Sequence, residues 1–215
     1  MRFGRKSGSA GSADIPEGQE SAPDTRVGPF DASDVDLDQH EGVDLGSLVI
    51  APIGAMELQL QVDEGTGQVM AAVLVGENAA LELRAFAASR GGGAWDELRP
   101  RIAAEMARQG GTTDEQQGTF GTELRCMVPI QTPDGKAATQ ASRVVAHEGP
   151  AWLLRATLMG APALDPELAA PWEETIRQVV VRRGRDAMPP GAPLPLHLPP
   201  EARRVDPPAA DTPAD

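Results

Sequence analysis

The chain has 215 residues, a net charge of -13, one cysteine and no tyrosine. That length makes one domain, with room for a small second one, and the lone Cys126 excludes an internal disulfide framework and a cysteine-based metal site. The acidity sits at the ends: residues 1–44 hold 10 acids and 4 bases, residues 186–215 hold 5 acids and 2 bases, and residues 45–185 carry only -4. Acidic ends repel phosphate backbones and anionic lipid, so no nucleic-acid partner is expected. The basic start Met1-Arg-Phe-Gly-Arg-Lys6 is followed by no apolar core of a secretory signal. No apolar run approaches ~20 residues, so no membrane span is expected and a cytoplasmic location follows by default.

Residues 1–27 are rich in Gly, Ser, Ala, Asp, Glu and Pro, and are expected to form a disordered acidic tail. A single α+β domain is expected over residues 28–200, followed by a second disordered tail over 201–215. Gly28-Pro29-Phe30-Asp31 offers a turn with one apolar anchor, and Asp34-Val-Asp-Leu-Asp38 reads as a short edge strand or a weakly docked linker. Leu48-Val-Ile50 is a short β-type run. Met56, Leu58, Leu60 and Val62 alternate with polar residues, the period-2 signature of a half-buried strand. Asp63-Glu-Gly-Thr-Gly67 is a turn, and Gln68 to Val75 is the return strand of a hairpin. Ala79 to Ala88 is a third strand, with Leu81 and Leu83 on one side and Glu82, Arg84 and Phe86 on the other.

After Gly91-Gly-Gly93, the residues Trp95, Leu98, Ile102 and Met106 trace one stripe of a helix. Gly110-Gly111 ends it. Strands are expected over Phe120–Ile130, Ala138–His147 and Ala151–Met159. Asp165-Pro166 reads as cap and first residue of a second helix, whose stripe is Leu168, Trp172, Ile176 and Val180. Pro171 allows its first turn to be a separate piece, and Val179-Val-Val181 suits either helix end or strand. From Met188 the chain is Pro-rich, and Pro193-Leu-Pro-Leu-His-Leu-Pro199 suits an extended strap lying on the domain, or alternatively a ligand segment for a proline-recognising partner. The expected order is β-β-β-α-β-β-β-α: a mainly antiparallel sheet of about six strands with two helices on one face.

Several chemistries were weighed. Cys126 and His147 could make a nucleophile–base pair on neighbouring strands, but no orienting third group is apparent. Asp63-Glu64 and Glu173-Glu174 are adjacent acids that ordinarily point apart into solvent. Three histidines, two of them (His40 and His197) in or next to the tails, show no metal-ligand spacing, so neither metal nor cofactor is expected. The glycine triplet lacks the Gly-Lys-Ser/Thr ending of a phosphate loop. Arg84, Arg125, Arg143 and Arg155 each fall on an expected strand, and on one face they would form a basic patch for an anionic ligand or an acidic partner. The acidic segment 31–44 is a candidate cover for that patch. Trp95, Trp152 and Trp172 are the large apolar anchors, and Trp152 is also a candidate for a ligand groove.

Gly28-Pro-Phe-Asp31, Asp44-Leu-Gly-Ser-Leu48, Trp95-Asp-Glu-Leu-Arg99, Gly118-Thr-Phe-Gly-Thr-Glu-Leu124, Gly149-Pro-Ala-Trp-Leu-Leu-Arg155, Val179-Val-Val-Arg182 and Met188-Pro-Pro with Leu194-Pro-Leu196 recur in order. As a set they resemble the actinobacterial domain-of-unknown-function family 3710, over roughly residues 28–200. That family usually has Arg where Ala151 stands here, and an Asp-Gly-Pro turn in place of Glu148-Gly-Pro. The resemblance implies a cytoplasmic bacterial protein and supplies no activity. The residues thus favour a non-enzymatic binding or adaptor module with another protein as partner. A structural subunit of a larger assembly is the alternative, and an enzyme with a dispersed site, drawn from Arg155, His147 and Glu123, ranks below both.

Overall fold

The computed structural model describes residues 28–132, 134–200 and 202, so both expected tails lie outside the described residues. In chain order, β1 is Phe30–Asp31, β2 Val43–Asp44, β3 Leu48–Ile50, β4 Glu57–Val62, β5 Val69–Gly76 and β6 Ala79–Ala87. Helix α1 is Ala94–Arg108, followed by β7 Thr112–Gly118, β8 Gly121–Gln131, β9 Ala137–Gly149 and β10 Trp152–Gly160. A 3-10 turn at Ala161–Ala163 leads into α2, Pro166–Gln178, and β11 is Val180–Val181.

The protein is α+β with two helices, and its pairings are mostly antiparallel, as expected. Two sheets replace the expected six-strand one. A seven-stranded antiparallel sheet has the order β4-β5-β6-β10-β9-β8-β7. A four-stranded mixed sheet has the order β1-β11-β3-β2, with β1 and β11 parallel. Val180–Val181 is therefore strand, although the helix before it runs unbroken through Pro171 to Gln178. Residues 34–42 are turns and bends rather than an edge strand.

Alternate residues of the large sheet enter two different cores. Leu81, Leu83, Ala85, Val145, Leu154, Ala156 and Leu158 pack with Trp172 and Ile176 of α2, with Val179 at its C-cap, and with Leu48, Ile50 and Val181 of the small sheet. Leu124, Cys126, Val144, Ala146 and Leu153 pack with Trp95, Leu98, Ile102 and Met106 of α1. Neighbours in sequence on a strand point to opposite faces, so α1 and α2 lie on opposite sides of the sheet. The expectation of two helices on one face is corrected: an amphipathic stripe requires burial but does not choose the side. Leu168, placed in the α2 stripe from sequence, is 50% exposed.

Caps and turns follow local chemistry. Asp165 accepts a hydrogen bond from the Glu167 amide, and Pro166 opens α2. Gly110 takes φ 76°, and the Gly110 and Gly111 amides return to Ala107 and Met106 of α1. Residues 191–197 run beside the sheet: amides of Gly191 and Leu194 donate to Ala87 and Ala85 of β6, and that of His197 to Leu45. Leu194 and Leu196 are buried there, while Leu198 is exposed.

Trp172 joins α2 to the sheet, its indole lying beside Gly76. Trp172→Ala should cost about 3–5 kcal/mol, read as a fall in the urea midpoint. A loss under 1 kcal/mol, on the order of a surface substitution, would contradict this packing role.

Candidate functional site

The four strand arginines divide into two pairs on opposite faces. Arg84 is registered with Arg155, and Arg125 with Arg143. Arg143 is registered with Leu158 and Arg155 with Ala146, so the two pairs differ in parity along β9 and β10. The single patch expected from sequence does not form. Segment 31–44 does not cover either pair: Asp31 bonds Trp152, His40 bonds the Gln178 carbonyl, and Asp44 pairs with Arg182.

The Arg125–Arg143 pair lies on the α2 side and is committed to internal partners. Glu123, 1% exposed, accepts from Arg125 Nε at 3.0 Å. Arg125 Nη1 also donates to the Ala163 carbonyl at 2.6 Å. Arg143, 3% exposed, donates through Nη2 to Glu173 of α2. Arg143 Nε and Glu123 Oε2 stand 3.7 Å apart, close enough to attract but too far to hydrogen-bond, and among the described residues both lack another hydrogen-bond partner. Glu173 Oε2 accepts from the Thr119 hydroxyl at 2.8 Å and faces Arg177 at 3.5 Å. The Arg177 guanidinium lies over Phe120. The adjacent acids Glu173 and Glu174 thus have different fates: Glu174 is solvated, while Glu173 is buried in an ion network. Its place between Trp172 and Ile176, on the flank of the apolar stripe, was the available signal.

The Arg84–Arg155 pair lies on the α1 side. Helix α1 packs mainly over β7, β8 and β9 and also reaches Leu153 of β10. Phe86 sits between the two cations, with guanidinium carbons 5.8 Å (Arg84) and 5.6 Å (Arg155) from its ring centre. Arg155 donates to Glu82 at 2.8 Å. Among the described residues Arg84 has no hydrogen-bond acceptor, and the Nε atoms of both arginines are buried without one. Burial, together with the charge of Arg155, lowers the Arg84 pKa from its ordinary value. A groove of about 220 Å³ opens beside Phe86, between the start of α1 and residues 190–191, and Leu153 and Leu98 help to line it.

Trp152 is fixed rather than free. Its Nε1 donates to Asp31 Oδ2 at 2.6 Å, and its ring lies 5.9 Å from that of His147. Burial opposes ionisation of Asp31, but hydrogen bonds from Ser33 and Trp152 outweigh it and hold the carboxyl below its ordinary range. These groups line a shallow cleft of about 320 Å³ with Phe30, Asp34, Glu148 and Pro150. Glu148 also accepts from the Trp95 amide at 2.8 Å, capping α1 from another hairpin where its own N-cap, Gly93, has no side chain. In that hairpin Ala151 takes φ 64° at the second turn position.

Cys126 and His147 face opposite sides of the sheet, so they make no catalytic pair; burial pushes the Cys126 thiol up. Arg155 is likewise separated by the sheet from His147 and Glu123, so the dispersed trio does not assemble. Among the described residues no group of three or more His, Cys, Asp or Glu could hold a metal ion. Among the described residues no helix is long and apolar enough to cross a membrane.

These features define an α+β protein with one ion-paired interior face and one partly uncovered face. The chain belongs to the protein family of unknown function DUF3710, whose model matches residues 28–205. No curated protein matches the chain.

Two outcomes follow. Glu173→Ala leaves Arg143 buried with its nearest carboxylate beyond hydrogen-bond reach, and should cost about 3 kcal/mol in urea unfolding; a loss near zero would show the pair is dispensable. His147 is lowered from 6.5, by burial against a smaller opposing effect of Glu148. The unfolded chain therefore takes up more protons as pH falls below 6.5, and the stability that His147 contributes above that pH is lost below it. Urea midpoints should fall between about pH 7 and pH 5, and fall less in His147→Gln; equal slopes would contradict the assignment.

Proposed function

We propose that this chain is a non-enzymatic binding module that holds an acidic segment of another protein against Arg84, Phe86 and Arg155. One observation carries the reading: two cations share a partly buried aromatic, a single carboxylate bonds one of them, and Arg84 has no acceptor among the described residues. A second carboxylate would relieve the repulsion between the guanidinium groups and satisfy donors that Glu82 does not reach. Leu153 and Leu98 beside Phe86 offer an apolar seat for the same segment. Arg125, Arg143 and Trp152, the other candidates from sequence, support the scaffold in this reading: Arg125 bonds Glu123 and the Ala163 carbonyl, Arg143 bonds Glu173, and Trp152 bonds Asp31. A cytoplasmic location belongs to the same proposal. The alternative of a structural subunit in a larger assembly draws on Leu164 and Leu168, which are 65% and 50% exposed around the α2 cap.

An end-labelled hexaglutamate peptide followed by fluorescence anisotropy tests the proposal. Binding should weaken with salt and fall about tenfold in Arg84→Gln, with Arg177→Gln as the control on the other face. No binding to the wild type, or equal losses in both variants, would overturn it.

A further inference from the structure

The two ends of the large sheet are chemically different. Strand β7 is Thr-Thr-Asp-Glu-Gln-Gln-Gly and offers no apolar side chain to a neighbour. Strand β4 is Glu-Leu-Gln-Leu-Gln-Val and pairs with β5 on one side only. Among the described residues its backbone makes no hydrogen bond on the other side. Leu58 and Leu60 are half-buried against the core beneath α2, and Val62 is 40% exposed. The edge carries no Pro or Lys, and its register irregularity falls at Gln61/Val62, at the far end of the strand. These are devices by which an exposed edge is ordinarily blunted, and the stretch 57–61 has only the single charge of Glu57 to oppose pairing.

We infer that β4 is the contact between two copies of this chain, paired antiparallel about a two-fold axis at Gln59. Residues directly opposite in an antiparallel pair share a face, so only registers joining residues of like parity keep the apolar side together. Centred on Gln59, that register sets Leu58 against Leu60, Glu57 against Gln61, and Gln59 against its own copy. Both leucines then complete their burial, the glutamines form a polar ladder on the other face, and no like charges are opposed. A register centred on Leu60 would oppose Glu57 to Asp63. One centred on Leu58 would pair only residues 57–59 of the strand, so charge and strand length together select the first register, and the contact is isologous, so assembly stops at the dimer. This inference is independent of the Arg84–Arg155 surface, which lies on a face of the sheet and not at its edge.

Sedimentation equilibrium on the full chain should show a concentration-dependent dimer of the 22.6 kDa protomer. Gln59 is exposed, so its variants should keep the wild-type circular dichroism and melting curve. Gln59→Glu should weaken association about fivefold or more, because it opposes two carboxylates and adds them to Glu57 across the axis. Gln59→Lys should weaken it less, and an equimolar mixture of the two variants should associate more tightly than either alone. A β7 variant, Gln116→Glu, should leave association unchanged. A chain that stays monomeric at high concentration, a dimer indifferent to Gln59→Glu, or a mixture no tighter than its components would each overturn the inference.

Discussion

The pairing of β6 with β10 sets the terms for the rest of the molecule. The two strands match from Trp152 against Ala87 to Gly160 against Ala79 without a register shift. Each is the last strand of a meander, β4-β5-β6 on one side and β7-β8-β9-β10 on the other, so their union makes one sheet from two pieces. Because side chains alternate with period 2, that register fixes the face of every residue on both meanders. It sends the side chains of Leu83 and Ala156 toward α2 and those of Arg84 and Arg155 to the opposite side. The expected β-β-β-α order of each half suggests a repeat, but the second half carries a fourth strand, β7, and the helices that follow β6 and β10 fall on different faces. The molecule therefore has one face covered by α2 and the small sheet, and another covered over β7–β9 by α1.

That asymmetry gives identical residue types different physics. Beneath α2, Arg143 is removed from water, and a buried guanidinium is tolerable only with carboxylates and carbonyls around it. Glu123, Glu173 and the Ala163 carbonyl supply these for Arg143 and Arg125, drawing on β8, α2 and the 3-10 turn. The network consequently ties α2 to the strands it covers and has little left to offer a ligand. On the other side no helix lies over Arg84 and Arg155. Both guanidinium groups lie over the Phe86 ring, and Arg155 is ion-paired with Glu82.

Contacts distant in sequence secure the periphery. Asp31 reaches Trp152, Glu148 caps α1, and residues 191–197 bind both β6 and Leu45. Each fills a local need with a group supplied from elsewhere: an indole N–H requires an acceptor, a helix with glycine at its N-cap requires a carboxylate, and the end of β6 beyond β5 requires a partner for its backbone.

The sequence determined the elements whose side chains carry their own pattern. Leu58, Leu60 and Val62 specified β4, the Gly-containing turn specified its hairpin with β5, the Trp95–Met106 stripe and Gly110-Gly111 specified α1, and Asp165-Pro166 specified the start of α2. It did not reveal β7, because Thr-Thr-Asp-Glu-Gln-Gln-Gly has no apolar alternation and is held as a strand by β8 alone. Tertiary structure decided the side of the sheet on which each helix packs, the burial of Glu173 beside a solvated Glu174, and the splitting of four strand arginines into two pairs on opposite faces. Local periodicity shows that a residue has neighbours on its own face. Which face that is depends on registers between strands far apart in the chain, and a shift of one residue reverses it.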